Sequence, residues 1–206
     1  PAQWFTNCKG AMKGATLLGG PFATKERIAI AFGLPPDTPH SVVTDVFADG
    51  LHGKRIKPEI VSSGVCQEHV LLGDDVNLDL LPIAKLHPQD GGPYIGTLNI
   101  GVCKDFDSEW VNWGTYRGMK HDKKSTGLWL GPLNQGGQIL KKYRAADKVM
   151  EYAMFFGGDP MHNIVASSSV PPGVSEVEVV GGIRGEAVKL VKCKTVDLYV
   201  PANAEL

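Results

Sequence analysis

Glycine and proline interrupt this chain so often that little room is left for long helices. There are 25 glycines and 14 prolines in 206 residues. Each loosens the backbone or removes a donor, and so tends to end the regular element it meets. The consequence is an architecture of short segments in which strands predominate. One early stretch resists that rule. Thr24-Lys25-Glu26-Arg27-Ile28-Ala29-Ile30-Ala31-Phe32 offers an N-cap and charged early positions, and it stops at Gly33, ahead of Pro35-Pro36. That pattern predicts a helix.

Residues 57–81 alternate loosely between apolar and polar side chains and are broken by Gly64 and Gly73-Asp74-Asp75, which predicts strands and turns. The run 94–103 reads as one strand with Leu98, Ile100 and Val102 on one face, and 105–108 as a turn. Residues 110–117 then return as the hairpin partner. Ile139, Leu140, Tyr143 and Ala146 have helical spacing, and 150–156 reads as a buried strand ending at Gly157-Gly158. Asp159-Pro160 is a turn signal that can cap a short helix through Val165. Residues 177–193 look like two strands around Gly185-Glu186, with a third at 196–200.

Charge excludes little but points away from two partners. With 21 basic against 22 acidic residues there is no electrostatic case for nucleic acid or for an anionic membrane surface. No apolar run approaches the roughly 20 residues of a bilayer span, and the first residues lack a signal peptide's basic-then-apolar layout. Cys8, Cys66, Cys103 and Cys193 are scattered and form no C-x-x-C pair, which speaks against a zinc ribbon or redox couple and leads us to expect a reducing cytoplasm. The chain begins without Met and stops at Ala204-Glu205-Leu206, so a piece of a longer protein is expected.

Familiar catalytic signatures are missing: there is no G-x-x-x-x-G-K-[ST], no H-E-x-x-H and no G-x-S-x-G. The six histidines are far apart, and His87, in the turn-rich stretch 86–93, is the most interesting of them. The stretch Val111-Asn112-Trp113-Gly114-Thr115-Tyr116-Arg117 carries more promise. On a strand, Asn112, Gly114 and Tyr116 share one face and Trp113, Thr115 and Arg117 the other. Gly114 leaves space for a flat ligand or another backbone, and the planar fork of Arg117 suits a carboxylate or phosphate. An edge strand with a solvated arginine fits the same letters. Glu176 and Glu178, alternating on an expected strand face, either join Asn112 around a hard cation or face water.

Six pieces in order and in register change that balance. They are Asp90-Gly91-Gly92-Pro93-Tyr94-Ile95, Asn112-Trp113-Gly114-Thr115-Tyr116-Arg117, Gly157-Gly158-Asp159-Pro160, Ser175-Glu176-Val177-Glu178, Gly182-Ile183-Arg184-Gly185-Glu186 and Val200-Pro201-Ala202-Asn203-Ala204-Glu205. Together the series resembles the UbiD family of decarboxylases over nearly the whole chain. The resemblance implies an α+β fold: a small N-terminal α/β region over residues 1–67, then a flavin-binding split β-barrel over 68–206. It implies prenylated FMN, supplied by a flavin prenyltransferase partner, and a divalent metal (manganese or magnesium), with potassium as a further candidate. Asn112 and Glu176 then correspond to metal ligands, and Arg117 to the residue that orients the substrate carboxylate. Thr115, Tyr116, Leu128, Trp129, Leu130 and Gly136 correspond to cofactor contacts.

There are two departures from the family pattern. Many relatives place a metal-binding His in the loop after Gly131, where this chain offers Gln135, or Asn134 if the gap falls differently. The family's general acid lies downstream of the stretch ending in Glu205, so the 206 residues alone are expected to bind cofactor poorly and turn over little. The implied reaction is reversible, non-oxidative decarboxylation of an aromatic or α,β-unsaturated carboxylic acid, with the flavin as electron sink and carbon dioxide as product. A homo-oligomer is expected. The alternative is a non-catalytic or cofactor-holding subunit of a multi-chain carboxylase.

Overall fold

A computed structural model describes residues 2–8 and 11–206. Its strands and helices are short, as the glycines and prolines require, and they gather into two compact units. One comprises the residues up to Phe47, Val70–Ile95 and Arg117–Leu128; the other comprises Ala48–His69, Gly96–Tyr116 and Trp129–Leu206.

In the first unit, β1 (Gln3–Phe5) pairs antiparallel with β2 (Leu17–Gly19). The predicted helix is present as α1 (Lys25–Ala31), with the Thr24 hydroxyl accepting from Arg27 N–H and Gly33 at φ 73° just beyond its end. A second helix, α2 (His40–His52), begins here without a clear sequence signal, because polar letters interrupt the spacing of Val42, Val43 and Phe47. Strands β4 (Tyr94–Gly96), β7 (Gly118–Lys120) and β8 (Thr126–Leu128) make a three-stranded sheet.

The second unit holds the main core. Its sheet has the order β6-β5-β9, from β5 (Ile100–Lys104), β6 (Val111–Gly114) and β9 (Ala153–Phe155), all antiparallel. The register sets Val102 opposite Trp113 and Ile100 opposite Phe155, and all four are buried. Trp113 meets Phe155 edge to face at 5.0 Å, a geometry that adds to the gain from burying the rings. Helices α3 (Gln135–Ala145), α4 (Pro160–Ala166) and α5 (Glu176–Arg184) belong to this unit, as does a second sheet of order β11-β10-β3. In it β10 (Lys189–Lys192) is parallel to β3 (Glu59–Val61) and antiparallel to β11 (Tyr199–Pro201).

Several sequence expectations are corrected by the fold. The run 94–103 is two strands, because Asn99 is buried and donates to Tyr116 O at 3.0 Å, which ends one element and starts another. Leu98 is correspondingly exposed. Between 57 and 81 only β3 is a strand; the rest winds into one-turn 3₁₀ segments, one of them capped by Asn77. The larger error concerns 177–184, where a helix stands in place of a strand. Val177, Val179 and Val180 are all buried and imitate strand alternation. Helical signals outweigh them: Ser175 precedes, Glu176 and Glu178 occupy the first turn, Arg184 the last, and Gly185 closes at φ 76°. The third strand is displaced from 196–200 to Tyr199–Pro201.

The helix-then-strand order of α3 and β9 and α4 capped by Asp159 agree with the sequence reading. So does the hairpin of β5 and β6, except that its return strand ends at Gly114, so Thr115, Tyr116 and Arg117 lie beyond it and do not alternate on its faces. The mixed α/β character is as expected. Among the described residues the strands form separate sheets of two or three strands, and none closes on itself.

Candidate active site

Four motif residues converge in the second unit. Asn112 lies mid-way along β6, and its neighbour Trp113 turns into the core, so the Asn112 side chain takes the opposite face. The strand ends at Gly114, and the chain turns back far enough for the Tyr116 hydroxyl to donate to Asn112 Oδ1 at 2.7 Å. The space at Gly114 is therefore filled by this chain's own tyrosine ring: a Cβ there would stand 2.5 Å from it.

Glu176 is brought in by α5. Its position at the first turn buries it to 2 % exposure, with Oε2 accepting from Trp113 N–H at 2.7 Å. Asn112 Nδ2 donates to Glu176 Oε1 at 3.3 Å. Glu178 does not share its site, since two residues along a helix turn the side chain to another face.

Gln135 opens α3, and its Oε1 accepts from Asn112 Nδ2 at 2.7 Å while its own Nε2 donates to Val170 O at 2.6 Å. Asn134 is engaged elsewhere, as the N-cap of α3, where its Oδ1 accepts from Gly137 N–H at 2.8 Å. Between the two residues open to choice on sequence, Gln135 is the one whose side chain meets Asn112, on the cleft that Glu176 also lines. Gly136, the next residue, donates its N–H to the Tyr116 hydroxyl at 2.9 Å.

These groups line a cleft of about 510 Å³. Its other wall is the segment Ser167-Ser168-Ser169 with Pro171 and Pro172, which sequence reasoning passed over. A run of three hydroxyls before Val-Pro-Pro was the available signal. Thr115 also lines the cleft and is exposed. Trp129 and Leu130 belong to the same unit, exposed and half-buried respectively. Arg117 and Leu128 lie in the first unit, at the two ends of its third segment, with Arg117 exposed. His87 sits in a turn of that unit, where its N–H donates to the Asp90 carboxylate at 3.0 Å.

Burial pushes the Glu176 carboxyl up to about 7, against the opposing hydrogen bonds from Trp113 N–H and Asn112. Burial likewise raises the Tyr116 hydroxyl, and it pushes the neighbouring Cys103 thiol up to about 12. A buried carboxylate held this way, beside the side-chain amides of Asn112 and Gln135, is a place where a cation would relieve an electrostatic cost. Among the described residues no three His, Cys, Asp or Glu side chains gather to hold a metal. Any cation here would rest on one carboxylate and the amide oxygens of Asn112 and Gln135, a donor set for a hard ion such as magnesium or manganese. The residues fit that group.

Two other motif pieces meet elsewhere in the second unit. Arg184 Nε donates to Asp159 Oδ2 at 2.6 Å, with a second contact from Nη2 to Oδ1. Burial alone would raise the Asp159 carboxyl, but Arg184 and the Met161 N–H hold it below its ordinary value. The four cysteines are free thiols, and among the described residues no helix is long and apolar enough to cross a membrane.

Comparison with known proteins finds relatives over the whole chain. The chain is 38% identical to the ferulic acid decarboxylase 1 of Saccharomyces cerevisiae over its whole length, covering 43% of that protein. It is 33% identical to a pyrrole-2-carboxylic acid decarboxylase of Pseudomonas aeruginosa, again covering 43%. It thus spans less than half the length of these curated relatives. Its fold aligns over 100% of the chain, and 44% of the other, with the vanillic acid decarboxylase of Sedimentibacter hydroxybenzoicus in closed form, with a TM-score of 0.91 at 28% identity. The UbiD-class enzyme HmfF of Pelotomaculum thermopropionicum, an evolved dimeric form in complex with prFMN, aligns over 99% of the chain and 46% of its own, with a TM-score of 0.88 at 25% identity. Residues 59–206 match the 3-octaprenyl-4-hydroxybenzoate carboxy-lyase Rift-related domain, and the chain belongs to the UbiD family.

Proposed function

We propose that this chain is the prenylated-FMN-binding part of a non-oxidative decarboxylase acting on an aromatic or α,β-unsaturated carboxylic acid. The observation that carries the reading is the meeting of Asn112, Gln135 and Glu176 on the wall of one cleft, the first and last at family motif positions and Gln135 where many relatives place a His, with an oxygen donor set suited to a hard cation. Relatives named for ferulic, pyrrole-2-carboxylic and vanillic acids support the substrate class.

On this reading Asn112, Gln135 and Glu176 hold a manganese or magnesium ion, with potassium as a further candidate, beside the flavin phosphate. Ser167 and Ser169 would offer hydroxyl donors to the flavin phosphate, while the Ser168 hydroxyl donates to Ile164 O at 2.6 Å. Thr115, Tyr116, Leu128, Trp129, Leu130 and Gly136 border the cofactor, within a flavin-binding split β-barrel domain of residues 68–206. When bound, prenylated FMN supplies an electron sink for loss of the carboxyl group. Arg117 presents its planar fork to the substrate carboxylate, fixing its orientation and stabilising charge as carbon dioxide departs. The closing proton would come from an acid outside these residues. A flavin prenyltransferase supplies the cofactor in the cytoplasm, and the active species is a homo-oligomer.

The test is carbon dioxide release from ferulic and pyrrole-2-carboxylic acids by the full-length protein loaded with prenylated FMN. Arg117→Ala should abolish release, by at least a hundredfold, with flavin still bound. Retention of more than a trace of activity removes Arg117 from the mechanism, and no release from either acid by the unsubstituted protein overturns the substrate reading.

A further inference from the structure

Tyr116 stands in a slot made by three glycines. A Cβ at Gly114 would come within 2.5 Å of its ring, one at Gly136 within 2.8 Å and one at Gly101 within 3.0 Å. The ring is 6 % exposed, so its hydroxyl has few places to point. The polarity of its hydrogen bonds is then dictated in sequence. Gly136 N–H can only donate, so the tyrosine oxygen accepts at 2.9 Å. The one phenolic proton is left for Asn112 Oδ1 at 2.7 Å. With its oxygen engaged, Asn112 turns Nδ2 toward Gln135 Oε1 at 2.7 Å and Glu176 Oε1 at 3.3 Å.

This orientation puts an N–H where a cation shared by those two oxygens and Asn112 would need a third oxygen. The amide is a stand-in for the cation. Resting on the metal site proposed above, we propose that Tyr116 is a positioning residue: its hydroxyl latches Asn112 in the metal-free orientation, so that metal loading requires the amide to turn over. After that turn Nδ2 donates to a phenolic oxygen that already accepts from Gly136, and the phenolic proton loses its acceptor. The wild-type protein binds metal against the cost of that orphaned hydrogen. Phenylalanine has no hydroxyl to orphan: in that variant the metal-free Asn112 Oδ1 keeps only the weak Cys103 Sγ–H contact at 3.8 Å, so turning the amide over costs less than in the wild type.

The experiment is a Mn²⁺ titration of the protein, followed by electron paramagnetic resonance of the free ion, for wild type, Tyr116→Phe and Glu176→Gln. Tyr116→Phe should bind Mn²⁺ more tightly, on the order of tenfold, the equivalent of one buried hydrogen bond. Equal or weaker binding in Tyr116→Phe, beside a wild type that binds and a Glu176→Gln variant that does not, overturns the latch and leaves the metal site standing. Wild type and Glu176→Gln alike in failing to bind overturn the metal site, and the latch with it. Should Tyr116→Phe fail to fold, the side-chain amide resonances of Asn112 in the wild-type protein serve instead, read in EDTA and then with Mg²⁺. A large shift of both amide protons supports the turn; resonances unmoved at saturating Mg²⁺ contradict it.

Discussion

Glu176 and His162 are both about 2 % exposed, both sit in the first turn of a helix, and both touch Trp113, yet burial pushes them in opposite directions. Glu176 accepts from the Trp113 N–H and from the side-chain amide of Asn112. His162 is packed edge-on to Trp113 at 5.4 Å and Phe155 at 5.9 Å, and its Nδ1 has no hydrogen-bond partner. Desolvation raises the Glu176 carboxyl to about 7 and lowers the His162 imidazole to about 4, the second against the pull of nearby Asp159. The difference teaches what burial alone does not tell. Both groups are neutral over part of the physiological range, but only Glu176 has neighbours that could share a cation, whereas aromatic edges offer His162 nothing but packing.

The largest way to disturb both regions is Trp113→Ala, since its backbone N–H donates to Glu176 and its indole packs in the core against His162. It should cost about 4 kcal/mol, measured by denaturant unfolding. Glu176→Gln separates them. In the metal-free protein above pH 7 it should stabilise by roughly 3 kcal/mol, the linkage value of a carboxyl raised from 4.5 to about 7. With Mn²⁺ present the same variant should lose the metal-dependent rise in melting temperature. A stability loss above pH 7 without metal would show that Glu176 has a cationic partner already.

The pH profile sharpens the contrast further. Glu176 has a folded value above its unfolded one, so its contribution is fully present below about 4.5 and is lost as pH rises to about 7. His162 has a folded value below its unfolded 6.5, so its contribution is fully present above that pH and is lost as pH falls to about 4. Between them the slopes oppose, and the wild-type protein should show a shallow profile from about pH 4.5 to 6.5. Glu176→Gln should expose a stability that rises with pH, and His162→Phe one that falls. Smallest in effect, Asn134→Ala removes the cap of α3 and should cost about 1 kcal/mol. A much larger drop in metal affinity than in stability would return Asn134 to the ligand set.

How far the letters alone could reach differs between these regions. Asn112, Glu176 and the amide at Gln135 were legible because motif spacing survives any error in secondary structure; the helix that carries Glu176 was expected as a strand, and the residue still arrived. Valines at 177, 179 and 180 misled because a short, mostly buried helix shows too little polar face to reveal its period. The hydroxyl of Tyr116, the capping by Asn134 and the serine wall were not legible at all. The Asn134 cap is local, three residues from Gly137, and is hidden only because the start of α3 is not marked. The Tyr116 hydroxyl reaches Gly136 20 positions on, and the serine wall meets Asn112 across the second unit, which no local pattern encodes. His162 illustrates the opposite case: scattered in sequence, it is placed by aromatic packing alone.

Native mass spectrometry of the protein co-produced with a flavin prenyltransferase is the most direct measurement, scored for bound small molecule and for metal in wild type and in Glu176→Gln. The wild type should carry prenylated FMN together with a divalent ion, and Glu176→Gln should lose the ion. Bare protein, or plain FMN with no metal, would contradict a shared metal and flavin site at Asn112, Gln135 and Glu176.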